Sequence, residues 1–283
     1  VRRPSVLWMG TDDAWDEFTV NNVNGTPYIM SGINDGNDAS KIIYLSPQLA
    51  GFDVGVSYSP NRFEGENFLN PTNTQAFQRD FGGLTNEISA AVRYRGTFGP
   101  VGVAASFVAQ FADAGRQSAT GIPVAVKNQN VTAYSGGIVL RAYGFQIGGE
   151  YTWGNYIGSA PAGAALPKGW DGSKHYVASG VYTIGDLSLG VMYGSGTQDN
   201  GNAADAPADR TQTYFGLGAA YVLAPGMTLF ANYNQIKDEN VPFLNSAGSI
   251  SAGAGKNTLA RFDASGSTNR DIQVVVGGVR VAF

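Results

Sequence analysis

The chain of 283 residues contains no cysteine, and charged residues make up only 14% of it. Without cysteine it forms neither disulfides nor thiolate metal sites. Its formal net charge of −4 gives no electrostatic support for a nucleic-acid partner. It also lacks any run of about 20 consecutive apolar residues, which excludes a transmembrane helix. These absences exclude disulfide-stabilised proteins, thiolate metalloproteins and helical membrane proteins.

Glycine and aromatic residues, by contrast, are abundant. Glycine accounts for 39 residues, about twice the usual share, and aromatic residues make up 12% of the chain. A high aromatic content together with a low net charge argues against intrinsic disorder. The combination favours a large β-sheet that has one face against an apolar environment.

From Lys41 onward, the sequence alternates between short turns and long polar segments. Tight hairpins require Gly, Pro and Asp, and these residues occupy the short turns. The predicted strands are residues 41–46, 52–59, 86–96, 101–111, 131–141, 144–153, 174–183, 187–194, 211–222, 228–236 and 271–283. About eleven strands of roughly ten residues match the length that crosses a bilayer at a tilt. The long segments between strand pairs are uncommon in compact soluble domains.

Within the predicted strands, apolar and polar side chains alternate, as Val103, Phe107 and Phe111 do with Ser106 and Gln110. Successive side chains of a strand point to opposite faces, so each strand has one apolar face. A soluble β-sandwich also alternates, but its polar face would carry more Lys and Glu. Aromatic residues near the strand ends favour a transmembrane antiparallel β-barrel instead.

Two segments resemble the general porins of Gram-negative bacteria, most closely the alphaproteobacterial type. Residues 41–60, KIIYLSPQLAGFDVGVSYSP, resemble the hairpin that follows the constriction loop of these proteins. Residues 277–283, GGVRVAF, resemble their last strand, in which Val279, Val281 and Phe283 would form the signal read by the barrel assembly machinery. The resemblance runs over nearly the whole chain.

The resemblance implies an all-β, 16-stranded transmembrane barrel with a long third loop folded into it after strand five. Residues 1–283 then form a single barrel domain. Residues 1–40 are mainly the infolded constriction loop, and residues 41–283 hold strands six to sixteen. We therefore expect this sequence to lack the N-terminal strands of the family. An intact barrel of 12 strands, with one more strand within residues 27–33, is the alternative.

Acidic residues are concentrated near the N-terminus, and arginines lie on the polar face of the predicted strands. The acidic group is Asp12, Asp13, Asp16, Glu17, Asp35 and Asp38, and the basic group is Arg93, Arg95, Arg141 and Arg280. An arginine at the lipid midplane costs roughly 2–4 kcal/mol, so these arginines should face the lumen or an interface.

Charges that line a pore set its ion selectivity. We predict that Arg93 and Arg95 face the acidic residues at positions 12–17 across the constriction. A solvated acidic loop is the alternative for that segment. Arg141 lies beside a tight turn, which would also suit the periplasmic mouth.

No catalytic constellation is visible. His175 is the single histidine, and no nucleophile motif accompanies it, so we expect a surface or interface histidine and no hydrolase. Residues 34–38, NDGND, have the composition of a calcium loop but not its spacing or its terminal glutamate. We therefore expect no enzyme activity and no cofactor, apart from weak Ca²⁺ binding by loop carboxylates.

The function implied by the resemblance is passive diffusion of ions and small hydrophilic solutes across the outer membrane. The protein would be integral to that membrane, in contact with the lipid bilayer and lipopolysaccharide, and a homotrimer. One alternative is a substrate-specific outer-membrane channel. Another is a plugged barrel with an adhesin role, which the long loops permit because such loops carry binding.

Overall fold

A computed structural model describes residues 40–61, 84–113, 129–155, 172–198, 209–239 and 270–282. These residues form eleven strands, as predicted. The strands are β1 (Ile42–Leu45), β2 (Phe52–Asn61), β3 (Thr85–Phe98), β4 (Val101–Asp113), β5 (Val131–Ala142), β6 (Phe145–Asn155), β7 (Ser173–Ile184), β8 (Leu187–Gln198), β9 (Arg210–Ala224), β10 (Met227–Glu239) and β11 (Arg270–Val281).

Most strands are longer than the predicted ten residues. Strand β9, for example, has 15. The reason is that backbone pairing continues beyond the alternating apolar stretch from which the strand lengths were predicted. Strand β1 is shorter than predicted, with four residues. The predicted constriction loop at residues 1–40 lies outside the described residues except for Ser40, and the alternative strand within residues 27–33 lies wholly outside them.

All the described strands belong to one antiparallel sheet, in which the spatial order from β1 to β11 is the chain order. Each strand pairs with its neighbours in sequence, so the topology is a continuous meander of hairpins. A second sheet, which a β-sandwich would require, does not occur in the described residues. The described residues also contain no helix that is long and apolar enough to cross a membrane.

The tight turns depend on residues that tolerate a positive φ angle. In the turn between β5 and β6, Tyr143 has a φ of 52° and Gly144 a φ of 82°. Two successive residues with positive φ match the right-handed twist of the flanking strands. A Cβ atom at Gly144 would lie 2.6 Å from the backbone oxygen of Thr183, so glycine alone fits there. This turn therefore fixes the register of the hairpin.

The two faces of the sheet have opposite character, and the exposed one is apolar. We define the apolar face as the one that carries Phe107, Ile147 and Leu217, and the polar face as the opposite one. On the apolar face, 57% of Ile147 is exposed, whereas Thr152 on the polar face of the same strand is fully buried. Soluble proteins rarely expose apolar patches on this scale. The apolar face is therefore built to contact lipid.

Aromatic side chains form two bands on the apolar face, six residues apart along several strands. The pairs are Phe52 and Tyr58 on β2, Phe145 and Tyr151 on β6, Tyr176 and Tyr182 on β7, and Phe215 and Tyr221 on β9. Six residues span about 20 Å along a strand, which is comparable with the apolar band, about 25 Å tall, of a membrane barrel. The predicted arrangement of aromatic residues near the strand ends is confirmed.

Beyond one band, toward the long connections, the apolar face becomes polar. Asp113, Lys174, Thr213 and Lys237 occupy this rim on four different strands. Just inside the rim, the rings of Tyr134 and Trp153 stack with their centroids 5.5 Å apart. Aromatic rings suit the water–lipid interface because they combine an apolar body with a polar edge. The aromatic bands therefore mark the borders of the lipid-facing zone.

Substitution of arginine for Leu217, between the two bands, should destabilise the protein far more than substitution of arginine for Thr213 at the rim. We expect Leu217→Arg to lower the free energy of unfolding by about 2–4 kcal/mol and Thr213→Arg by less than about 1 kcal/mol, because the cost of a charge depends on depth. Equilibrium unfolding in phospholipid vesicles measures both. Equal losses would contradict the assignment of the lipid-facing zone.

Candidate functional site

Hydrogen-bonding side chains line the polar face of the sheet. Every buried polar or charged residue of the described chain lies on that face. These residues are Asp53, Ser59, Glu87, Gln110, Ser135, Thr152, Ser173, His175, Ser179, Gln212, Asn232 and Asn234. Period-two alternation alone produces this segregation, because each residue on one face is followed by a residue on the other. The buried hydrogen-bonding side chains of the described chain are thus concentrated on one face.

Strands β2 and β3 hold an ionic cluster of Asp53, Arg93 and Arg95. The register pairs Asp53 with Arg93, and Arg95 follows two residues later on the same face. Arg93 Nε donates to Asp53 Oδ1 at 2.7 Å, and one terminal nitrogen of Arg95 lies 3.2 Å from Asp53 Oδ2. Both oxygens of the carboxylate are therefore engaged by arginines.

Exposure differs across this cluster. The side chain of Asp53 is 8% exposed, that of Arg93 is 29% exposed and that of Arg95 is 57% exposed. The Asp53 carboxylate thus lies beneath the guanidinium groups and compensates one of their two charges. Arg95 keeps donors available on its exposed side, since a guanidinium has five N–H groups.

The backbone at Arg95 is held by the turn that precedes β2. Arg95 N donates to the backbone oxygen of Gly51 at 2.8 Å. The side chain of Gln48 donates to the backbone oxygens of Gly51 and Arg95, at 2.9 and 3.2 Å. These bonds fix the position of the cluster relative to the short turns of the sheet.

Arg141 and Arg280 also lie on the polar face, close to short turns. Arg141 Nε donates to Gln146 Oε1 across the turn between β5 and β6, at 2.6 Å. Arg280 pairs in register with Thr228 at the start of β10. Toward the short turns, the polar face of the described chain thus carries Arg93, Arg95, Arg141 and Arg280 against the carboxylates of Asp53 and Glu150, the latter in the same transverse row as Arg93. This part of the face has a net positive charge.

Farther from the short turns, hydrogen bonds join polar side chains of neighbouring strands. Gln110 Nε2 donates to Glu87 Oε1 at 2.9 Å, between β4 and β3. Thr152 Oγ1 donates to Ser135 Oγ at 2.9 Å, between β6 and β5. Hydrogen bonds between buried side chains offset the cost of removing them from water. The polar face is therefore a preorganised wall.

The structure brings together only part of the predicted site. The four predicted arginines share one face, but Arg93 and Arg95 are paired with Asp53, which the sequence analysis did not single out. The alternation of residues 52–59 already placed Asp53 on the polar side of that strand. Its pairing with Arg93 could be assigned only from the register between β2 and β3. The predicted acidic residues Asp12, Asp13, Asp16, Glu17, Asp35 and Asp38 all lie outside the described residues.

The predicted assembly signal of Val279, Val281 and Phe283 lies only in part within the described residues. Val279 and Val281 share the apolar face of β11, with 54% and 48% of their surface exposed. Phe283 lies outside the described residues.

The prediction for His175 was wrong. This residue is 2% exposed on the polar face of β7, and its register partners are Thr152 on β6 and Gly196 on β8. Alternation explains the placement, because Lys174 and Tyr176 occupy the apolar face and direct His175 to the other. The described residues contain no group of three or more His, Cys, Asp or Glu side chains that could hold a metal ion. Residues 34–38, the predicted weak Ca²⁺ loop, lie outside the described residues.

Comparison with known proteins gives a family match over most of the chain. Residues 5–241 match the sequence profile of the family described as Gram-negative porin. No curated protein matches the chain.

Several solved structures resemble the fold at low sequence identity. OmpT of Vibrio cholerae is 17% identical with a TM-score of 0.48, and the match covers 97% of this chain and 74% of OmpT. A structure described only as a porin is 19% identical with a TM-score of 0.44, over 70% of this chain and 56% of that one. The outer-membrane channel DcaP of Acinetobacter baumannii is 10% identical with a TM-score of 0.47, over 88% of this chain and 64% of DcaP. At these identities the similarities bear on neither substrate nor assembly.

Arg93 should contribute more than Arg95 to the interaction with Asp53. Two double-mutant cycles, one combining Asp53→Asn with Arg93→Gln and the other with Arg95→Gln, separate the pairs. We expect the larger coupling free energy for Arg93, because its contact is shorter and less exposed, whereas exposed ion pairs contribute little. Equilibrium unfolding of the six proteins gives both couplings. A larger coupling for Arg95 would contradict the described geometry.

Proposed function

This chain belongs to the family of Gram-negative porins, and on that premise we propose that it is a general diffusion channel of the outer membrane. Ions and small hydrophilic solutes would pass along the polar face, while the apolar face contacts lipid. The observation that carries this proposal is the inverted distribution of side chains, with exposed apolar groups on one face and buried polar groups on the other. Transmembrane barrels with aqueous lumens have this arrangement.

Ion selectivity would arise from the charged side chains of the polar face. The proposed basic wall consists of Arg93, Arg95, Arg141 and Arg280, with Asp53 compensating part of its charge. The proposed acidic side consists of Asp12, Asp13, Asp16, Glu17, Asp35 and Asp38, within a constriction loop at residues 1–40. Opposite charges across a narrow point create a transverse field, and such charged linings set selectivity.

The rest of the proposal concerns assembly and partners. We infer one barrel domain, a homotrimer, contacts with the lipid bilayer and lipopolysaccharide, and recognition of the C-terminal residues Val279, Val281 and Phe283 by the barrel assembly machinery. The resemblance of residues 41–60 and 277–283 to general porins of the alphaproteobacterial type supports these inferences. No catalytic role and no cofactor are proposed, apart from weak binding of Ca²⁺ by loop carboxylates.

Single-channel recording of the purified protein in a planar bilayer tests the function directly. A general diffusion channel gives large ohmic steps, and a trimer gives steps in groups of three. The absence of steps would favour a plugged barrel with an adhesin role. Current that is blocked or carried by one solute alone would favour a substrate-specific channel. The reversal potential in a salt gradient then reports the ion preference.

Reversal of the charge at Arg95 should shift the channel toward cations. Two units of charge at about 8 Å in water lower the energy of a passing monovalent cation by about 1 kcal/mol and raise that of an anion by about as much. We therefore expect Arg95→Glu to raise the cation-to-anion permeability ratio roughly thirtyfold. The measurement is the reversal potential in a salt gradient. Lys174→Glu makes the same charge change on the rim of the apolar face and should have a much smaller effect. Equal shifts would exclude Arg95 from the channel lining.

The proposed pairing of the basic wall with the acidic loop has its own test. We expect Arg93→Ala to move the reversal potential toward cation preference and Asp16→Ala to move it toward anion preference, since each removes one charge from the constriction. The reversal potentials of the two variants and the unmodified protein are compared in the same salt gradient. If both variants leave the reversal potential unchanged, this pairing is wrong.

A further inference from the structure

A second group of polar side chains lies on the polar face of β9 and β10. Tyr214, Asn232 and Asn234 are almost fully buried there, with 1%, 2% and 0% of their surface exposed. The hydroxyl of Tyr214 donates to Asn234 Oδ1 at 2.7 Å. Within the described part of the chain, Asn234 Nδ2 and both polar atoms of the Asn232 amide have no hydrogen-bond partner. The group thus offers two donor atoms and one acceptor atom that no described protein group uses.

Unused polar atoms at this degree of burial call for an explanation, since more than about nine in ten buried polar groups in proteins are hydrogen-bonded. Asn232 and Asn234 are two residues apart on one strand, so their amides lie on the same face, about 7 Å apart at their Cα atoms. A ligand that uses all the free polar atoms of both amides must donate and accept hydrogen bonds across the distance between them. Hydroxyl groups on neighbouring carbon atoms have this property.

Glycines surround the two amides on the adjacent strands. The register pairs Asn234 with Gly216 and Asn232 with Gly218, and Gly218 in turn pairs with Gly190 on β8. A Cβ atom at Gly216 would lie 2.9 Å from the Tyr214 hydroxyl and 3.1 Å from Asn234 Oδ1. Glycine at this position therefore preserves the bond between Tyr214 and Asn234. Strand β9 places no side chain beside the amides, whereas β11 places Val276 beside Asn232 and Val274 beside Asn234.

Aromatic rings complete the surroundings. Phe230 precedes Asn232 on the same face of β10, and its ring covers Gly278, whose Cβ position would lie 2.9 Å from the ring. Rings beside amides suit a molecule that has apolar C–H faces and hydroxyl edges. Phe230, Asn232 and Asn234 carry no charge, and Tyr214 contributes a hydroxyl group that donates a hydrogen bond, so the group gives no ionic attraction to a charged solute.

We propose that Tyr214, Asn232 and Asn234 form a binding station for uncharged, polyhydroxylated solutes such as small saccharides. The inference rests on the proposed diffusion channel and adds a solute class to it. A binding site of this kind favours entry of its solute into the channel. Because only a few hydrogen bonds and no ionic contacts hold the solute, binding stays weak enough for release. Conduction through a channel requires this balance.

Sucrose is the probe, and a polyethylene glycol of matched hydrodynamic size is its control. The polymer has ether oxygens that accept hydrogen bonds but almost no donors, so it measures the effect of size, viscosity and accepted hydrogen bonds without donated ones. In planar bilayers, we expect sucrose to reduce or interrupt the ionic current in a saturable way and the polymer to reduce it without saturation. If sucrose behaves like the polymer in the unmodified protein, the station does not exist.

The double variant Asn232→Ala with Asn234→Ala locates the station. We expect the half-saturating sucrose concentration to rise about tenfold or more, because about two net hydrogen bonds are lost. Ion conductance without sucrose shows whether the double variant still forms a channel. Ser179→Ala is the matched control, since the register from β7 through β9 places Ser179 in the same transverse row as Asn234. Saturable block that survives in the double variant, or that is lost equally in Ser179→Ala, overturns the assignment.

Gly216→Ala provides a second test that keeps both amides. The added methyl group should displace the Tyr214 hydroxyl and weaken the effect of sucrose while the channel still conducts. This variant decides the question if the double variant does not fold, which circular dichroism and heat-dependent gel mobility reveal. Unchanged sucrose block in Gly216→Ala would then overturn the proposal. A protein that conducts no ions at all contradicts the channel function itself, whereas a conducting protein without saturable sucrose block contradicts only the station.

Discussion

The continuous antiparallel register of the sheet is the constraint on which the other features depend. In a lipid environment each backbone N–H and C=O group must be hydrogen-bonded within the protein, because the hydrocarbon offers no partner. The meander of hairpins meets this requirement for every interior strand of the described sheet. The same register sends alternate side chains to opposite faces. A shift of the register by one residue would therefore move the arginine side chains to the lipid-facing side of the sheet. Stability and function therefore depend on one geometric property.

The register also decides how charge is distributed on the polar face. It places Asp53 against Arg93 and close to Arg95, so a carboxylate lies beneath an otherwise basic surface. The arrangement holds the arginines in place and lowers the net charge that a passing ion meets. Arg141 is restrained differently, by a neutral glutamine across a tight turn. The four arginines thus differ in exposure and in effective charge, and they are not interchangeable parts of one basic wall.

The Asp53–Arg93–Arg95 cluster and the amides of Asn232 and Asn234 lie on different strands of the described sheet. The ionic cluster lies on β2 and β3, whereas the amides of Asn232 and Asn234 lie on β10 beside glycines of β9. A diffusion channel needs both kinds of surface, since ions respond to the electrostatic field and uncharged solutes respond to hydrogen bonding and contact. The separation allows ion preference and solute affinity to change independently.

The sequence by itself determined the strand number, the tight turns and the face on which each side chain lies, because these follow from period-two alternation and from local turn chemistry. It predicted that Arg93, Arg95, Arg141 and Arg280 share a face. It did not predict that Asp53 is their ionic partner or that Tyr214 and Asn234 form a buried hydrogen bond beside Gly216. Those features depend on which residues of neighbouring strands are aligned. Alignment between strands is a long-range property that only the tertiary structure fixed, since the pattern within a strand says which face a residue occupies but not which residue lies beside it.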